Sequence, residues 1–145
     1  MKIILHCSDS NFGNAALIDS WHRDNGWSMI GYHFVILNGW TGAKKYHKVF
    51  DGNVETGRPI DDNKYFEWDE YGAHTLGHNN SIGICLIGKS ASFTDNQINS
   101  LKDLLRLLKN QFDTIEVLQH SDFDPVNRPY CAGFTKEQME EFNKL

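Results

Sequence analysis

Two residue types that bind zinc, histidine and cysteine, stand near each other late in the chain, and a third candidate ligand stands near its start. His120 and Cys131 lie eleven positions apart, and His6 ends the first apolar run. Neutral imidazole and thiolate are ligands that zinc prefers, and three protein ligands leave one tetrahedral position open for water. These residues therefore suggest the metal site of a hydrolase.

The segments before the two histidines predict how the three residues meet. His6 follows a short strand at residues 2–5, and His120 follows another at residues 115–118. If the two strands are parallel neighbours, both imidazoles emerge at the same carboxyl edge of a sheet, where open α/β sheets bind their ligands. Cys131 returns toward that edge from a loop that two prolines stiffen.

Spacing alone leaves other interpretations open. A histidine at a strand end is more often a surface or core hydrogen-bonding residue, and a buried cysteine usually acts as a small hydrophobe. The chain has no compact metal motif such as His-Glu-x-x-His, and His33, His74 or His78 can be combined into rival trios. The spacing of the residues does not decide between these alternatives.

Length and charge bound the class of the protein. A chain of 145 residues fits one domain, so we expect a single, monomeric domain over residues 1–145. The formal net charge of −5 argues against nucleic acid or an anionic membrane as partner, because both interactions depend mainly on lysine and arginine.

The first residues and the cysteines predict where the protein is made. The N-terminal apolar run is too short for the core of a signal peptide, and no apolar stretch approaches the roughly 20 residues that span a bilayer. We therefore expect synthesis in the cytoplasm. Three cysteines without a secretion signal favour free thiols or metal binding, and Cys7 and Cys85 are expected to be buried thiols.

Hydrophobic periodicity predicts alternating strands and helices, and hence an α/β sheet covered by helices on both faces. Capping boxes open two helices, at Thr94 and at Thr135. The predicted strands cover residues 2–7, 32–37, 46–50, 81–87 and 115–118, and a further helix covers residues 14–24. The helix after Thr94 is expected to have about three to four turns.

Residues 51–77 show no sustained period and are predicted to form surface loops. Long loops in a compact domain often line a groove, so Trp68, Tyr71 and His74 are candidates to meet a substrate. The alternative for the two aromatic residues is that they pack the loop onto the core.

Several short motifs, taken in order, resemble the landmarks of the zinc-dependent N-acetylmuramoyl-L-alanine amidases of type 2, the family of bacteriophage T7 lysozyme and the peptidoglycan recognition proteins. The resemblance runs from about residue 3 to residue 134 of the 145. The motifs are Leu5-His6-Cys7-Ser8, Gly31-Tyr32-His33-Phe34, Thr56-Gly57-Arg58, His78-Asn79-Asn80-Ser81-Ile82-Gly83-Ile84-Cys85-Leu86 and His120-Ser121-Asp122.

This resemblance implies a fold and a ligand set. The fold is an α/β domain with a central mixed sheet of about five to six strands flanked by helices on both faces. His6, His120 and Cys131 stand where the family's zinc ligands stand, and Zn²⁺ is the implied cofactor. The implied substrate bond in peptidoglycan is the amide between the lactyl group of N-acetylmuramic acid and L-alanine of the stem peptide.

The resemblance implies further site residues, and one difference from the family's pattern suggests two more. Tyr32 stands where the family has a catalytic tyrosine, and His74 and Arg58 are carried over as substrate-binding residues. Many active members have a lysine two positions before the last ligand, where this chain has Pro129. Arg128 can supply positive charge instead, and Asp122 is a candidate for proton transfer or, equally, for capping its loop.

Three functions remain open at this point. The first is a peptidoglycan amidase of the endolysin kind, which reaches the cell wall after lysis or by dedicated export. The second is a module that binds muropeptides without cutting them, as family members without the metal ligands do. The third is a cytoplasmic amidase that acts on soluble anhydro-muropeptides, for which the sequence His120-Ser121-Asp122 has some likeness.

Overall fold

The computed structural model describes all 145 residues, which form five strands and three α-helices. The strands are β1 (Lys2–Cys7), β2 (Phe34–Gly42), β3 (Lys45–Thr56), β4 (Ile82–Leu86) and β5 (Glu116–Gln119). The helices are α1 (Ala15–Asp24), α2 (Asp95–Gln111) and α3 (Lys136–Lys144), with short 3-10 helices at Trp68–Glu70 and His120–Asp122.

The strands form one mixed sheet in the order β3-β2-β4-β1-β5. β1 pairs in parallel with both β4 and β5, β2 pairs in parallel with β4, and only β3 is antiparallel to its neighbour. This arrangement confirms the predicted mixed sheet and the parallel pairing of the strands that precede the two histidines. The register places Leu5 opposite Gln119, one residue before each imidazole.

Apolar side chains cover both faces of the sheet, as a sheet buried on both sides requires. On one face, Ile3, Leu5 and Ile84 pack against leucines of α2 and Phe142 of α3. On the other face, Ile18 of α1 packs in a second cluster with Ile30, Val35, Leu37, Cys85 and Ile87. The prediction of helices on both faces is therefore confirmed.

Several element boundaries differ from the sequence-based predictions, most by one residue, and β2 continues to Gly42 rather than ending at residue 37. β2 begins at Phe34 rather than at residue 32, and α2 continues to Gln111 because Phe112 anchors its end in the core. β3 extends to Thr56, so the first part of the predicted loop at residues 51–77 is strand. β3 lies at the sheet edge with most of its residues exposed, and therefore lacks the apolar alternation that reveals a half-buried strand.

None of the three helices is both long enough and apolar enough to cross a membrane.

Gln97 joins α2 to the sheet and is wholly buried. Its side-chain nitrogen donates hydrogen bonds to the carbonyls of Ile36 at 3.0 Å and Ile87 at 2.8 Å, and its oxygen accepts from the Thr94 backbone in the capping box. One side chain thus caps a helix and satisfies carbonyls beside two strands. Buried polar groups of this kind are costly to leave without partners.

We therefore expect Gln97→Leu to lower the free energy of unfolding by about 2–3 kcal/mol, since it removes the side-chain partners of the Ile87 carbonyl and the Thr94 N–H, while the Ile36 carbonyl keeps the Ile87 N–H. The matched control is Gln138→Leu, which removes the equivalent capping residue of α3 at a less buried position. Loss of that cap should cost only about 1 kcal/mol. Equal losses for the two variants in urea denaturation would contradict the role assigned to Gln97.

Candidate metal centre and active-site cleft

Three side chains that are far apart in sequence converge at the carboxyl edge of the sheet. His6 lies near the end of β1, His120 follows β5 directly, and Cys131 lies in the loop before α3. The Nδ1 atoms of the two imidazoles are 3.2 Å apart, and one ligand atom from each of the three residues lies within 4.8 Å of the others. The structure thus brings together the three residues proposed from the sequence, as a group that can bind a metal ion.

The protonation of the two histidines suits metal binding. Burial, followed by the neighbouring rings of His74 and His120, holds the pKa of His6 well below its usual value. Burial, followed by the charge of Arg128, lowers the pKa of His120. Both imidazoles are therefore neutral near pH 7, the form in which nitrogen can coordinate a metal.

A second thiol, that of Cys7, lies beside the third candidate ligand, Cys131. The backbone N–H of Cys7 donates to Cys131 Sγ at 3.3 Å. A hydrogen bond from Cys131 lowers the pKa of Cys7 to about 7, while the same interaction and burial raise the pKa of Cys131. Cys131 Sγ already accepts the Cys7 amide, which would help it to carry negative charge beside a bound cation.

These donors fit a tetrahedral zinc ion. Two zinc–nitrogen bonds of about 2.0–2.1 Å at a tetrahedral angle separate their nitrogens by about 3.3 Å. The observed separation of 3.2 Å between the two Nδ1 atoms agrees with this spacing. Two neutral imidazoles and one ionisable thiol are also the ligand types expected for such an ion.

A cleft opens directly over this group. Its cavity has a volume of about 560 Å³ and is lined by Tyr32, His74, His120, Arg128 and Cys131 among others. A second depression shares His74, His120 and Arg128 and continues the cleft past Leu76 and Asn79. His6 is only 1% exposed and lies behind the cleft surface. The candidate metal centre therefore lies at an open groove, with His120 lining both depressions.

Tyr32 lies in the turn before β2, with its ring 5.0 Å from the His6 ring between centroids. Burial raises the pKa of the Tyr32 phenol well above its usual value. The hydroxyl therefore keeps its proton and is available as a hydrogen-bond donor. Because the residue also lines the cleft, its proposed catalytic role is compatible with its position.

Arg128 lies on the exposed loop that precedes Cys131 and lines the cleft. Its backbone N–H donates to the carbonyl of Asp124, which fixes the loop, while Nη1 donates only to the carbonyl of Asn127. The guanidinium thus has further donors for a substrate group. Pro129, which stands at the position of the family's lysine, also lines the cleft but offers no charge.

Asp122 and Arg58 are placed away from the cleft. The Asp122 carboxylate accepts from the Gln119 backbone at 2.9 Å, and the residue borders a groove between β5 and α3. Arg58 donates from Nε to the carbonyl of Ile30, and its own backbone N–H donates to the carbonyl of Tyr32. These contacts favour loop capping for Asp122, and for Arg58 support of the segment that carries Tyr32.

His74 lies beside His6 with both ring nitrogens in hydrogen bonds. Nδ1 is 2.9 Å from Nε2 of His6, and Nε2 is 2.9 Å from the carbonyl oxygen of Ser81. Burial lowers the pKa of His74 to about 4, so the ring is neutral at pH 7. The ring borders the cleft, but both of its nitrogens are already bonded to protein groups. His74 therefore has no free nitrogen with which to bind a substrate as expected.

The rival histidines take structural positions. His33 Nε2 donates to the carbonyl of Glu70, and Nδ1 accepts from the Gly83 backbone at 3.0 Å, which ties the long loop to β4. The His78 ring packs on Phe123 with centroids 4.1 Å apart.

The two aromatic residues proposed to meet a substrate, Trp68 and Tyr71, do not line the cleft. The Tyr71 ring lies 5.3 Å from the ring of Phe66.

Several cleft residues were not predicted, among them His22, Trp27 and Cys7. His22 and Trp27 form part of the wall, with their rings 4.5 Å apart, and His22 Nδ1 accepts from the Gly31 backbone. The position of His22 four residues after Ile18, on the inner face of α1, is the signal that could have identified it. Cys7 was expected to be buried, but it ends β1 and lines the cleft, whereas Cys85 is wholly buried as predicted.

Comparison with known proteins agrees with this arrangement. The family model for N-acetylmuramoyl-L-alanine amidase matches residues 1–134, nearly the whole chain. The chain belongs to this amidase family. Among its relatives, the endolysin of Enterobacteria phage T3 is 33% identical and that of Escherichia phage T7 is 32% identical. Each alignment covers 99% of this chain and 87% of the phage protein.

Solved structures of the amidase family share the fold. The N-acetylmuramoyl-L-alanine amidase LysC from Clostridium intestinale superposes with a TM-score of 0.75 at 27% identity, covering 99% of this chain and 85% of LysC. The peptidoglycan recognition protein LE, solved in complex with tracheal cytotoxin, gives a TM-score of 0.66 at 23% identity over 99% of this chain and 79% of its own. The latter likeness concerns the fold alone.

The buried His33 makes the stability of this amidase fold depend on pH. Burial lowers the pKa of His33 from 6.5 to about 4, so the unfolded chain binds a proton that the folded chain excludes between these values. The contribution of His33 is complete above pH 6.5 and is lost as the pH falls toward 4. Between pH 7 and pH 5, this loss amounts to about 2 kcal/mol.

Urea denaturation of the chelator-treated protein at several pH values measures this effect. His33→Gln should show a shallower dependence of unfolding free energy on pH than the parent protein. His47→Gln, at an exposed position, is the matched control and should leave the dependence unchanged. Identical slopes for the parent protein and His33→Gln would exclude His33 as a source of the pH dependence.

Proposed function

We propose that this protein is a zinc-dependent peptidoglycan amidase that hydrolyses the amide between the lactyl group of N-acetylmuramic acid and L-alanine of the stem peptide. The observation that carries the proposal is the convergence of His6, His120 and Cys131 at the floor of an open groove in a member of the amidase family. Two neutral imidazoles and a thiol in this geometry are suited to hold the zinc ion. When bound, zinc supplies a Lewis acid and an activated water molecule.

The residues of the chain divide the remaining tasks. The groove on both sides of the ligands leaves room for an extended substrate, so that an amide bond can lie above His120 while the sugar and the peptide extend in opposite directions. Tyr32 keeps its proton and would donate a hydrogen bond to the carbonyl oxygen of that amide as negative charge develops. The hydrogen bond from Tyr32 would stabilise this oxygen most strongly after the attack on the carbonyl has begun.

Arg128 is proposed to supply positive charge at the rim of the groove. Its guanidinium offers several donors and remains charged, but it does not donate a proton readily. The side chain would therefore stabilise charge on the substrate without acting as a general acid. This division differs from that in members with a lysine near the last ligand, since Pro129 occupies that position here.

The presence of all three metal ligands favours an enzyme over a module that only binds muropeptides. The open shape of the groove, together with the phage endolysin relatives, favours intact peptidoglycan over a small soluble muropeptide. We therefore propose the cell wall as the natural target.

The decisive experiment is to incubate the purified protein with peptidoglycan sacculi, with and without a chelator. New L-alanine N-termini should appear, the chelator should abolish them, and added zinc should restore them. Parallel incubation with a soluble anhydro-muropeptide distinguishes wall hydrolysis from muropeptide recycling. Binding to sacculi without new N-termini, even with zinc added, would show a binding module instead.

Metal content should depend on the thiol in the cleft. The parent protein should contain about one zinc ion per chain, and Cys131→Ser should lose most of it because a hydroxyl is a weaker zinc ligand than a thiolate. Cys85→Ala is the matched control, since Cys85 lies buried in the sheet outside the ligand group. A zinc content that Cys131→Ser leaves unchanged would remove Cys131 from the ligand set.

Tyr32→Phe tests the proposed oxyanion donor. Removing one such donor typically lowers turnover by about 10²–10³-fold. Zinc content and the Kd for the substrate should change little, because the ring and its packing remain. Unchanged turnover on sacculi would exclude the Tyr32 hydroxyl from the reaction.

A further inference from the structure

A chain of buried hydrogen bonds leads from the backbone of the sheet to the candidate metal centre. It begins at the carbonyl of Ser81, passes through both nitrogens of His74 and ends at Nε2 of His6. Both links are 2.9 Å long. Since a hydrogen bond needs one donor and one acceptor, the chain constrains where each ring carries its proton.

The first link fixes the tautomer of His74. A carbonyl oxygen only accepts hydrogen bonds, so His74 Nε2 must carry the proton that faces Ser81. The Ser81 hydroxyl, 3.4 Å from the same nitrogen, donates to the carbonyl of His78 and is left with acceptor capacity toward the ring. In a neutral ring with the proton on Nε2, Nδ1 is an acceptor.

The second link then fixes the tautomer of His6. His74 Nδ1 has a lone pair directed at His6 Nε2, so this atom of His6 must be the donor. The Thr75 hydroxyl lies 3.0 Å from His74 Nδ1 and 3.3 Å from His6 Nε2, and it can donate to the former or accept from the latter. Either arrangement leaves the proton of His6 on Nε2 and the lone pair on Nδ1.

The packing around His74 shows that the site is built to hold this ring. A β-carbon at Gly83 would lie 2.8 Å from the His74 ring, so only glycine at this position of β4 leaves room for it. Asn79 Oδ1 accepts from the backbone N–H groups of both His74 and Thr75. The ring is therefore fixed from the side of the sheet and from its own loop.

We propose that His74 is a positioning residue, which holds His6 in the tautomer protonated at Nε2 and thereby leaves Nδ1 free to bind the metal. The inference rests on the proposed zinc site but goes beyond it, because it assigns a task to a residue outside the ligand set. It replaces the substrate contact expected for His74, whose nitrogens are both committed to protein partners. Partners that orient a ligating histidine in this way raise metal affinity.

The direct test reads the tautomer of His6 in the metal-free protein by nitrogen-15 NMR of labelled histidines at neutral pH. His6 should carry its proton on Nε2 in the parent protein. In His74→Leu, which removes the acceptor, the proton should distribute between the two nitrogens. A His6 ring protonated at Nδ1 in the folded parent protein would overturn the proposal without any variant.

Metal affinity supplies the second readout. In competition with a zinc chelator, His74→Leu should bind zinc about 10–100-fold more weakly than the parent protein. His74→Asn, whose side-chain oxygen retains an acceptor near the position of Nδ1, should recover part of that loss. His78→Leu makes the same chemical change at a histidine of the same loop outside the hydrogen-bond chain, and its affinity should equal that of the parent.

The outcomes separate the two proposals. A parent protein that binds no zinc contradicts the proposed function. A parent protein that binds zinc, together with a His74→Leu variant of equal affinity and unchanged His6 tautomer, refutes the positioning role alone. If His74→Leu does not fold, the His74→Asn variant and the NMR spectrum of the parent protein test the positioning role. A zinc affinity of His74→Asn that falls as much as that of Cys131→Ser would count against the proposal.

Discussion

The site depends on the parallel pairing of β1 with β5 at the centre and edge of the sheet. This pairing places Leu5 opposite Gln119, so the residues that follow each of them, 114 positions apart in the chain, become neighbours. Parallel strands end at the same edge of a sheet. His6 is near the end of β1 and His120 follows β5 directly, so both imidazoles lie at that edge. A shift of register by one residue would turn one imidazole to the opposite face and separate the two ligands.

Burial then decides the chemical state of the ligands. Burial, followed by the rings of His74 and His120, disfavours an imidazolium at His6. Burial, followed by the charge of Arg128, disfavours one at His120. The sheet thus holds the neutral imidazoles in an arrangement that can bind a metal ion, and the hydrogen bond from Cys131 lowers the pKa of the neighbouring Cys7 thiol. Metal binding at such a site is linked to folding, because the ligands are assembled only in the folded chain.

Two sides of the groove have different characters. One wall is aromatic, formed by Tyr32, His22 and Trp27, and is fixed to α1 and the sheet by packing and hydrogen bonds. The other side is the exposed loop that carries Arg128 and Pro129. The reacting bond would therefore lie between the Tyr32 hydroxyl on the packed wall and the exposed charge of Arg128 on the loop side. The charge of Arg128 stands three positions before Cys131 in the chain.

Local patterns in the sequence were sufficient for most elements. The capping boxes at Thr94 and Thr135, and the apolar runs of β1 and β4, identify helices and strands because capping and burial act over a few residues. The edge strand β3 was predicted too short, since exposed residues carry no periodic signal. The ligand trio was a hypothesis supported by an ordered resemblance, and spacing alone could not have excluded His33, His74 or His78.

By itself, the sequence determined the α/β class, the two-sided burial of the sheet and the residue types available for a zinc site. The tertiary structure decided which histidines face one another, which backbone groups Asp122 and Arg58 contact, and that His74 bonds to His6 through Nδ1. These outcomes depend on register, on the space left by Gly83 and on the direction of individual ring nitrogens. Such features arise from contacts between distant segments, and no local pattern of residues encodes them.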